Sequence, residues 1–239
     1  MAEQIKRATF EIHLTVGPFD PSERETARFT KFCQTHKLKP IYVGVLYTRP
    51  PAGPGFKRFL QTSEYLVGSF ASAQNRLQET SNLLEEEGFL VLRRKIETTA
   101  ASMAEAMPIL PLSEDKTQWY YETHIVLKLD EEYLSPGPTG DLVFKPLEKM
   151  KKVIALNHEC NANLKNHHLY IPLSFNMKYK QQCFITVRSY GCPRAEADAY
   201  VSSCLQKIEQ NFEIIKTIRE AVVYDDNARI DSELVLSDG

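Results

Sequence analysis

The sequence predicts an α+β protein built from two tandem units, each with the element order β-α-β-β-α-β. Two observations support this. Alternating apolar and polar residues open a strand near the N-terminus and again near residue 120, and the same order of elements follows each strand. The chain has 239 residues, which is enough for two domains of roughly 110 residues each.

The first unit can be followed element by element. Residues 9–16 alternate as a half-buried strand, and Ser22 and Glu25 have the spacing of a capping box that begins a helix. Strands are predicted over 41–47, 64–70 and 89–97, with a Pro- and Gly-rich loop over 48–60. A second helix lies near 73–84, with Gly88 as its C-cap. This is the ferredoxin-like order, in which two helices cover one face of a sheet.

The second unit repeats the pattern after a predicted linker. Strands are predicted over 120–129, 168–175, 183–190 and 213–224, and helices near 147–154 and 197–212. The predicted domains are therefore repeat 1 over 1–100, a linker over 101–118 and repeat 2 over 119–232. We expect the two repeats to pack as a pseudo-dimer, in an α+β barrel or a sandwich-like arrangement, because an open sheet face needs cover.

An internal repeat supports this division. The first strands of both units carry an aromatic residue, Glu, any residue and His, as Phe10-Glu11-Ile12-His13 and Tyr121-Glu122-Thr123-His124. The last strands align without a gap from Phe89 to Glu97 and from Phe212 to Glu220. A duplication explains this order of elements better than chance.

The run Tyr120–His124, together with Arg219–Asn227, resembles a family of duplicated ferredoxin-like proteins that has no settled activity. The resemblance covers most of the chain. It implies the duplicated fold and assigns no catalytic residue.

Composition excludes several classes of function. The formal net charge of -2 indicates no nucleic-acid partner. No apolar run is long enough to span a bilayer, so no membrane association is predicted. Five cysteines without a CxxC pair or a secretion signal indicate reduced thiols and a cytoplasmic protein. The sequence specifies neither a cofactor nor an oligomeric state.

The paired Glu-x-His motifs are the best candidate site. Residues i and i+2 of a strand share a face, so Glu11 lies beside His13 and Glu122 beside His124. If the two sheet faces meet, both pairs point toward the seam between repeats. There they serve either as mutually satisfied polar groups or as a ligand or catalytic site with His13 and His124 as acid and base. A metal is the less favoured alternative, and none is predicted.

Further candidate ligand-binding residues lie on neighbouring strands. Arg188 is placed to bind a small anionic ligand or to pair with Glu122. Tyr224 and Asp225 end the last strand, where a pocket could open.

Two-histidine phosphoesterases resemble this plan, since each of their lobes carries His-x-Thr or His-x-Ser on a strand. His13-Leu14-Thr15 fits that pattern, whereas Val126 stands where the second hydroxyl is needed.

The leading hypothesis is a protein that binds a small ligand or a partner. The alternatives are an acid–base enzyme acting on a phosphorylated substrate and a purely structural or interaction module.

Overall fold

The computed structural model describes residues 7–49, 53–99, 119–132, 134–136, 142–144, 148–162, 172–228 and 230. In this part of the chain the fold is mixed α+β, with four helices and an antiparallel sheet of eight strands. None of the helices in these ranges has both the length and the apolar character needed to cross a membrane.

The order of elements in the first half is the predicted one. The elements are β1 (Ala8–Gly17), α1 (Glu23–Thr35), β2 (Lys39–Arg49), β3 (Gly53–Gly68), α2 (Phe70–Glu86) and β4 (Leu90–Thr99). The capping box of α1 is present, because Ser22 Oγ accepts from the Glu25 amide and the Glu25 carboxylate accepts from the Ser22 amide. Gly88 follows α2 with φ of 76°, a conformation that favours glycine at the end of a helix.

The second half contains the predicted elements and an additional hairpin. The elements are β5 (Tyr120–Lys128), β6 (Leu134–Pro136), β7 (Leu142–Phe144), α3 (Glu148–Ala162), β8 (Leu173–Asn176), β9 (Gln182–Tyr190), α4 (Arg194–Glu209) and β10 (Ile214–Asp225). The short strands β6 and β7 pair with each other in a separate two-stranded sheet. The predicted linker over 101–118 lies outside the described residues.

The predicted loop over 48–60 is wrong for most of its length. Strand β3 begins at Gly53, and its later part pairs with β1 as far as Leu60 opposite Val16. The Arg58 backbone also donates to Asp20 Oδ1 at 2.9 Å. The pairing of β3 with its neighbours β1 and β2 therefore overrides the local preference of Gly and Pro for a turn. Phe70, predicted at the end of this strand, instead begins α2 after the N-cap Ser69.

Contacts divide the chain into two compact units. Unit 1 consists of Met1–Ile41, Arg58–Glu122 and Arg219–Ile230, and unit 2 consists of Tyr42–Lys57, Thr123–Ile218 and Asp231–Gly239. Each unit draws on both halves of the sequence. The domain boundaries at 1–100 and 119–232 stay a prediction.

In unit 1, strand β1 lies between β3 and β4, and β10 pairs with the other side of β4. The register of β1 with β4 shifts between Thr15 and Val16 of β1. The register of β10 with β4 shifts between Val222 and Tyr224 of β10. The core of unit 1 is aromatic and aliphatic. Its members include Phe10, Ile12, Leu14, Phe29, Phe70, Leu84, Phe89 and Ile96.

Unit 2 has its own apolar core, in which β2 pairs with β8 and β8 pairs with β9. Helix α3 packs against β9 and α4. Fully buried side chains of this core include Ile125, Leu127, Val153, Phe175, Ile185 and Ile208.

Candidate functional site

Strand β1 presents Glu11, His13 and Thr15 on the face opposite its apolar residues. The sequence predicts a half-buried strand whose polar face becomes covered if an open sheet face finds cover, and this face is indeed largely buried. His13 is 7% exposed and Thr15 is 3% exposed, while Glu11 is partly buried. Both faces of β1 are therefore covered, and the polar side chains must find partners inside the protein.

His13 is held by hydrogen bonds at both ring nitrogens. Nδ1 lies 3.1 Å from the carbonyl oxygen of Thr62. Nε2 lies 2.8 Å from Glu97 Oε2 and 3.5 Å from Glu11 Oε1. The predicted contact within the Glu-x-His motif is therefore present, and Glu97 of β4 joins it. Glu97 reaches His13 because the register places Glu97 directly opposite Glu11.

Lys95 extends this group along β4. Its ammonium group contacts Glu97 Oε1 and donates to Glu122 Oε1 at 2.9 Å. Lys95, Glu97 and Glu122 are all nearly inaccessible, at 6%, 1% and 1% exposure. Water and salt, which weaken ion pairs on the surface, do not reach these buried charges. Loss of any one charge would therefore lower the stability of the folded protein.

Two further groups border Glu11 on its outer side. Ser63 Oγ donates to Glu11 Oε1 at 2.6 Å. Tyr65 stands opposite Glu11 on β3 and is 62% exposed. The pKa of the Tyr65 hydroxyl is raised by its desolvation and by its hydrogen bond to Glu11.

Glu220 of β10 brings a fourth carboxylate to this place, with an oxygen within 4.8 Å of one from Glu97. We call the set of six side chains the Glu97 cluster. Its members are Glu11, His13, Lys95, Glu97, Glu122 and Glu220.

The carboxylate of Glu97 is ionised at neutral pH. Burial by itself raises the pKa of this group, but the charges of Lys95 and His13 outweigh burial and lower it to about 2. One oxygen of Glu97 faces Lys95 and the other faces His13. Glu97 is therefore the charged centre of the cluster.

Asp225 belongs to a separate, fully paired group. Arg93 donates from Nε to Asp225 Oδ1 at 2.9 Å and from Nη2 to Oδ2 at 2.5 Å. Tyr120 also donates to Oδ2, at 2.6 Å. This two-pronged geometry is typical of a structural ion pair that fastens β10 to β4. Tyr224 is partly buried beside it, and burial raises the pKa of its hydroxyl.

The remaining predicted residues lie in unit 2. His124 Nδ1 is 2.9 Å from Thr186 Oγ1, and its ring meets Phe184 edge-on with centroids 6.4 Å apart. Arg188 is buried at 3% exposure. His13 belongs to unit 1 and His124 to unit 2, and their sharing one site stays a prediction.

Sequence reasoning found Glu11, His13 and Glu122 but did not identify Glu97 and Lys95 as their partners. The shared face of Arg93, Lys95 and Glu97 is visible in the sequence. What the sequence lacks is the register that places Glu97 opposite Glu11, since a shift of one residue would turn these side chains to the other face.

Comparison with known proteins assigns no family. No protein-family model matches the chain, and no curated protein sequence matches it. A solved structure from Fusobacterium nucleatum subsp. nucleatum, assigned only provisionally as a monooxygenase, is similar over 95% of this chain and 96% of its own. Its sequence identity is 8% and its TM-score is 0.31, so this similarity supports no inference about activity.

Proposed function

We propose that this protein binds a small ligand with a positively charged group at the Glu97 cluster. The observation that supports the proposal is the convergence of two carboxylates on the ring of His13. Nε2 lies 2.8 Å from Glu97 Oε2 and 3.5 Å from Glu11 Oε1. A third carboxylate, that of Glu220, has an oxygen within 4.8 Å of one from Glu97.

Ionised carboxylates that converge in a buried place attract cations, because a low dielectric strengthens electrostatic interactions. Glu97 stays ionised at neutral pH because the charges of Lys95 and His13 hold its pKa at about 2. A bound ammonium, amidinium or metal ion would interact favourably with the carboxylates of Glu11 and Glu97. The cluster thus favours a cationic ligand.

Glu11 and its neighbour Tyr65 are more exposed than the deeper members of the cluster. The Glu11 side chain is 13% exposed, and Tyr65 beside it is 62% exposed. The deeper members are His13 and Glu97, whose side chains are 9% and 2% exposed. A ligand entering past Tyr65 would meet Glu11 first and then Glu97.

The predicted anionic ligand and the phosphoesterase-like alternative stay predictions, and the charge of the Glu97 cluster does not support them. A phosphate group beside His13 would lie against Glu11 and Glu97, which are within 3.5 Å and 2.8 Å of the His13 ring. Like charges at such distances repel strongly in a buried place. The interaction-module alternative makes no use of this cluster.

Calorimetric titration tests the proposal. The ligands are putrescine, guanidinium and choline in the presence of a chelator, then Zn²⁺ and Mn²⁺ without it, with inorganic phosphate as the anionic comparison. We expect at least one cation to bind, and we expect the Glu97→Gln variant to bind that cation at least about tenfold more weakly. Glu213→Gln is the matched control, because Glu213 is 64% exposed and pairs with Lys128 away from the cluster. The proposal would be contradicted if phosphate bound and none of the cations did.

The same proposal includes an origin for the site. We propose that the chain is a tandem duplication of a ferredoxin-like unit, in which both copies kept Glu-x-His on their first strands and Glu97 and Glu220 on their last. The second copy has Ile218 where the first has Lys95. A reducing, cytoplasmic location is the compatible setting, since all five cysteines are free thiols.

A further inference from the structure

We propose that Glu11, His13 and Glu97 bind a divalent transition-metal ion, of the class of Zn²⁺, Mn²⁺ or Co²⁺. This inference rests on the proposed function and names the cation. One ligand atom from each of the three residues lies within 4.8 Å of the others. The three atoms come from two neighbouring strands of unit 1.

The pairing of β1 with β4 creates this arrangement. Glu11 and His13 are two residues apart on β1, so they share one face of the sheet. Glu97 is the direct cross-strand partner of Glu11 on β4. Three donors on one face of two paired strands leave the remaining coordination positions open to water or to a ligand, as in catalytic rather than structural metal sites.

The hydrogen bond of the His13 ring supplies independent support. The carbonyl oxygen of Thr62 only accepts, so the Nδ1 atom 3.1 Å away carries the proton. Nε2 is then the ring nitrogen that faces Glu97 Oε2 at 2.8 Å and Glu11 Oε1 at 3.5 Å. Two carboxylates so close to Nε2 require either a proton, as in the charged ring, or a metal ion between them. A backbone carbonyl on the other nitrogen is the usual support of a metal-binding histidine.

The two glutamates are held by partners of their own. Lys95 contacts Glu97 Oε1, leaving Oε2 for the metal. Ser63 orients Glu11 through a hydrogen bond of 2.6 Å to Oε1. One imidazole and two carboxylates, without a thiolate, suit Zn²⁺, Mn²⁺ or Co²⁺ rather than Cu(I). The protein therefore offers both the ligands and the groups that fix them.

Metal titration of the full-length protein, stripped with a chelator and dialysed, tests the inference. We expect calorimetry to show one Zn²⁺ or Mn²⁺ ion per chain, and Co²⁺ to give a visible absorption band. Glu11→Gln and His13→Gln should each weaken binding at least about tenfold, because a lost protein ligand removes direct coordination. His36→Gln is the matched control, since His36 ends α1 outside the cluster, and should leave affinity unchanged.

A second measurement distinguishes a metal ion from a proton bound at Nε2 of His13. Nitrogen-15 NMR of the histidine side chains should show Nδ1 of His13 protonated throughout, and a large shift of Nε2 only when Zn²⁺ is added. Circular dichroism of each variant establishes that it is folded. We expect Glu11→Gln to disturb folding less than Glu97→Gln, because the side chain of Glu11 is less buried than that of Glu97.

The outcomes are distinct. Binding of putrescine or guanidinium without any metal would overturn this inference and leave the proposed function standing. Metal affinity that is equal in wild type, Glu11→Gln and His13→Gln would place the ion elsewhere, and would also overturn it. Failure of every cation to bind would overturn both proposals.

Discussion

At the residue scale, the Glu97 cluster contains an internal cation, Lys95. Lys95 stands between Glu97 and Glu122, and its side chain is 7% exposed. Its partners are buried carboxylates that cannot turn to water. A buried set of paired charges contributes little more to stability than apolar residues of similar size would. Removing one member is nevertheless costly, because it leaves a buried charge without compensation.

We therefore expect Lys95→Met to lower the free energy of unfolding by about 3–5 kcal/mol, measured by urea denaturation at neutral pH. Lys207→Met is the matched control. Lys207 pairs with Glu159, and the two side chains are 44% and 49% exposed, so the control should cost about 0–1 kcal/mol. Equal losses in the two variants would mean that the cluster is not ionised as described.

Asp225 provides a second test at this scale. Its carboxylate is 1% exposed and accepts from both Arg93 and Tyr120. Asp225→Asn removes the buried carboxylate charge to which Arg93 donates from both Nε and Nη2, so we expect a loss of about 3 kcal/mol in urea denaturation. The adjacent Asp226→Asn is the control, because Asp226 and its partner Arg94 are 27% and 24% exposed. A loss of about 1 kcal/mol is expected there.

At the element scale, helix α1 shows how a short sequence motif determines local structure. Ser22 and Glu25 satisfy each other's backbone amides, as their spacing predicts. The hydrogen bonds from Ser22 lower the pKa of the Glu25 carboxyl from its usual 4.5. A carboxyl with a lowered pKa in the folded state adds stability above its unfolded pKa and loses that contribution as the pH falls.

Loss of the N-cap in Ser22→Ala should cost about 1 kcal/mol at neutral pH. The cost should be smaller in acid well below the usual 4.5 of a glutamate, because the lowered pKa of Glu25 no longer contributes there. Thermal or urea unfolding of wild type and variant at both pH values measures the difference. Ser202→Ala is the control, because that hydroxyl is exposed and bonds only to the Asp198 carbonyl within α4. Its effect should stay within about 0.5 kcal/mol at both pH values. A cost for Ser22→Ala that does not change with pH would contradict the coupling to Glu25.

At the scale of the whole molecule, the predicted repeats and the contact units divide the chain differently. Unit 1 includes Arg219–Ile230, far along the chain from its other segments. That segment supplies the part of β10 that pairs with β4, and Asp225, which pairs with Arg93. Glu122, a partner of Lys95, also lies beyond predicted repeat 1. The predicted repeat boundaries are thus not the boundaries of the contact units.

We expect a fragment of residues 1–100 to lack a cooperative unfolding transition, because Arg93 and Lys95 would lose Asp225 and Glu122 as partners. Far-ultraviolet circular dichroism during urea titration checks this, with the full-length chain as control. If the fragment unfolds cooperatively with native-like stability, the predicted domain 1–100 is independent.

The sequence determined much of the fold on its own. Alternation in β1, the capping box of α1 and the glycine after α2 are local signals, and each was confirmed. The Glu-x-His motif likewise determined that Glu11 and His13 share a face, because side chains two apart on a strand point the same way.

Only the tertiary structure decided what surrounds that motif. The pairing of β1 with β4 placed Glu97 against His13, and the pairing of β3 with its neighbouring strands kept residues 53–60 in β3 against their local turn preference. Burial of both faces of β1 then converted a polar stripe into an enclosed, carboxylate-rich cluster. Register and burial arise from contacts between distant parts of the chain, which no local pattern of residues specifies.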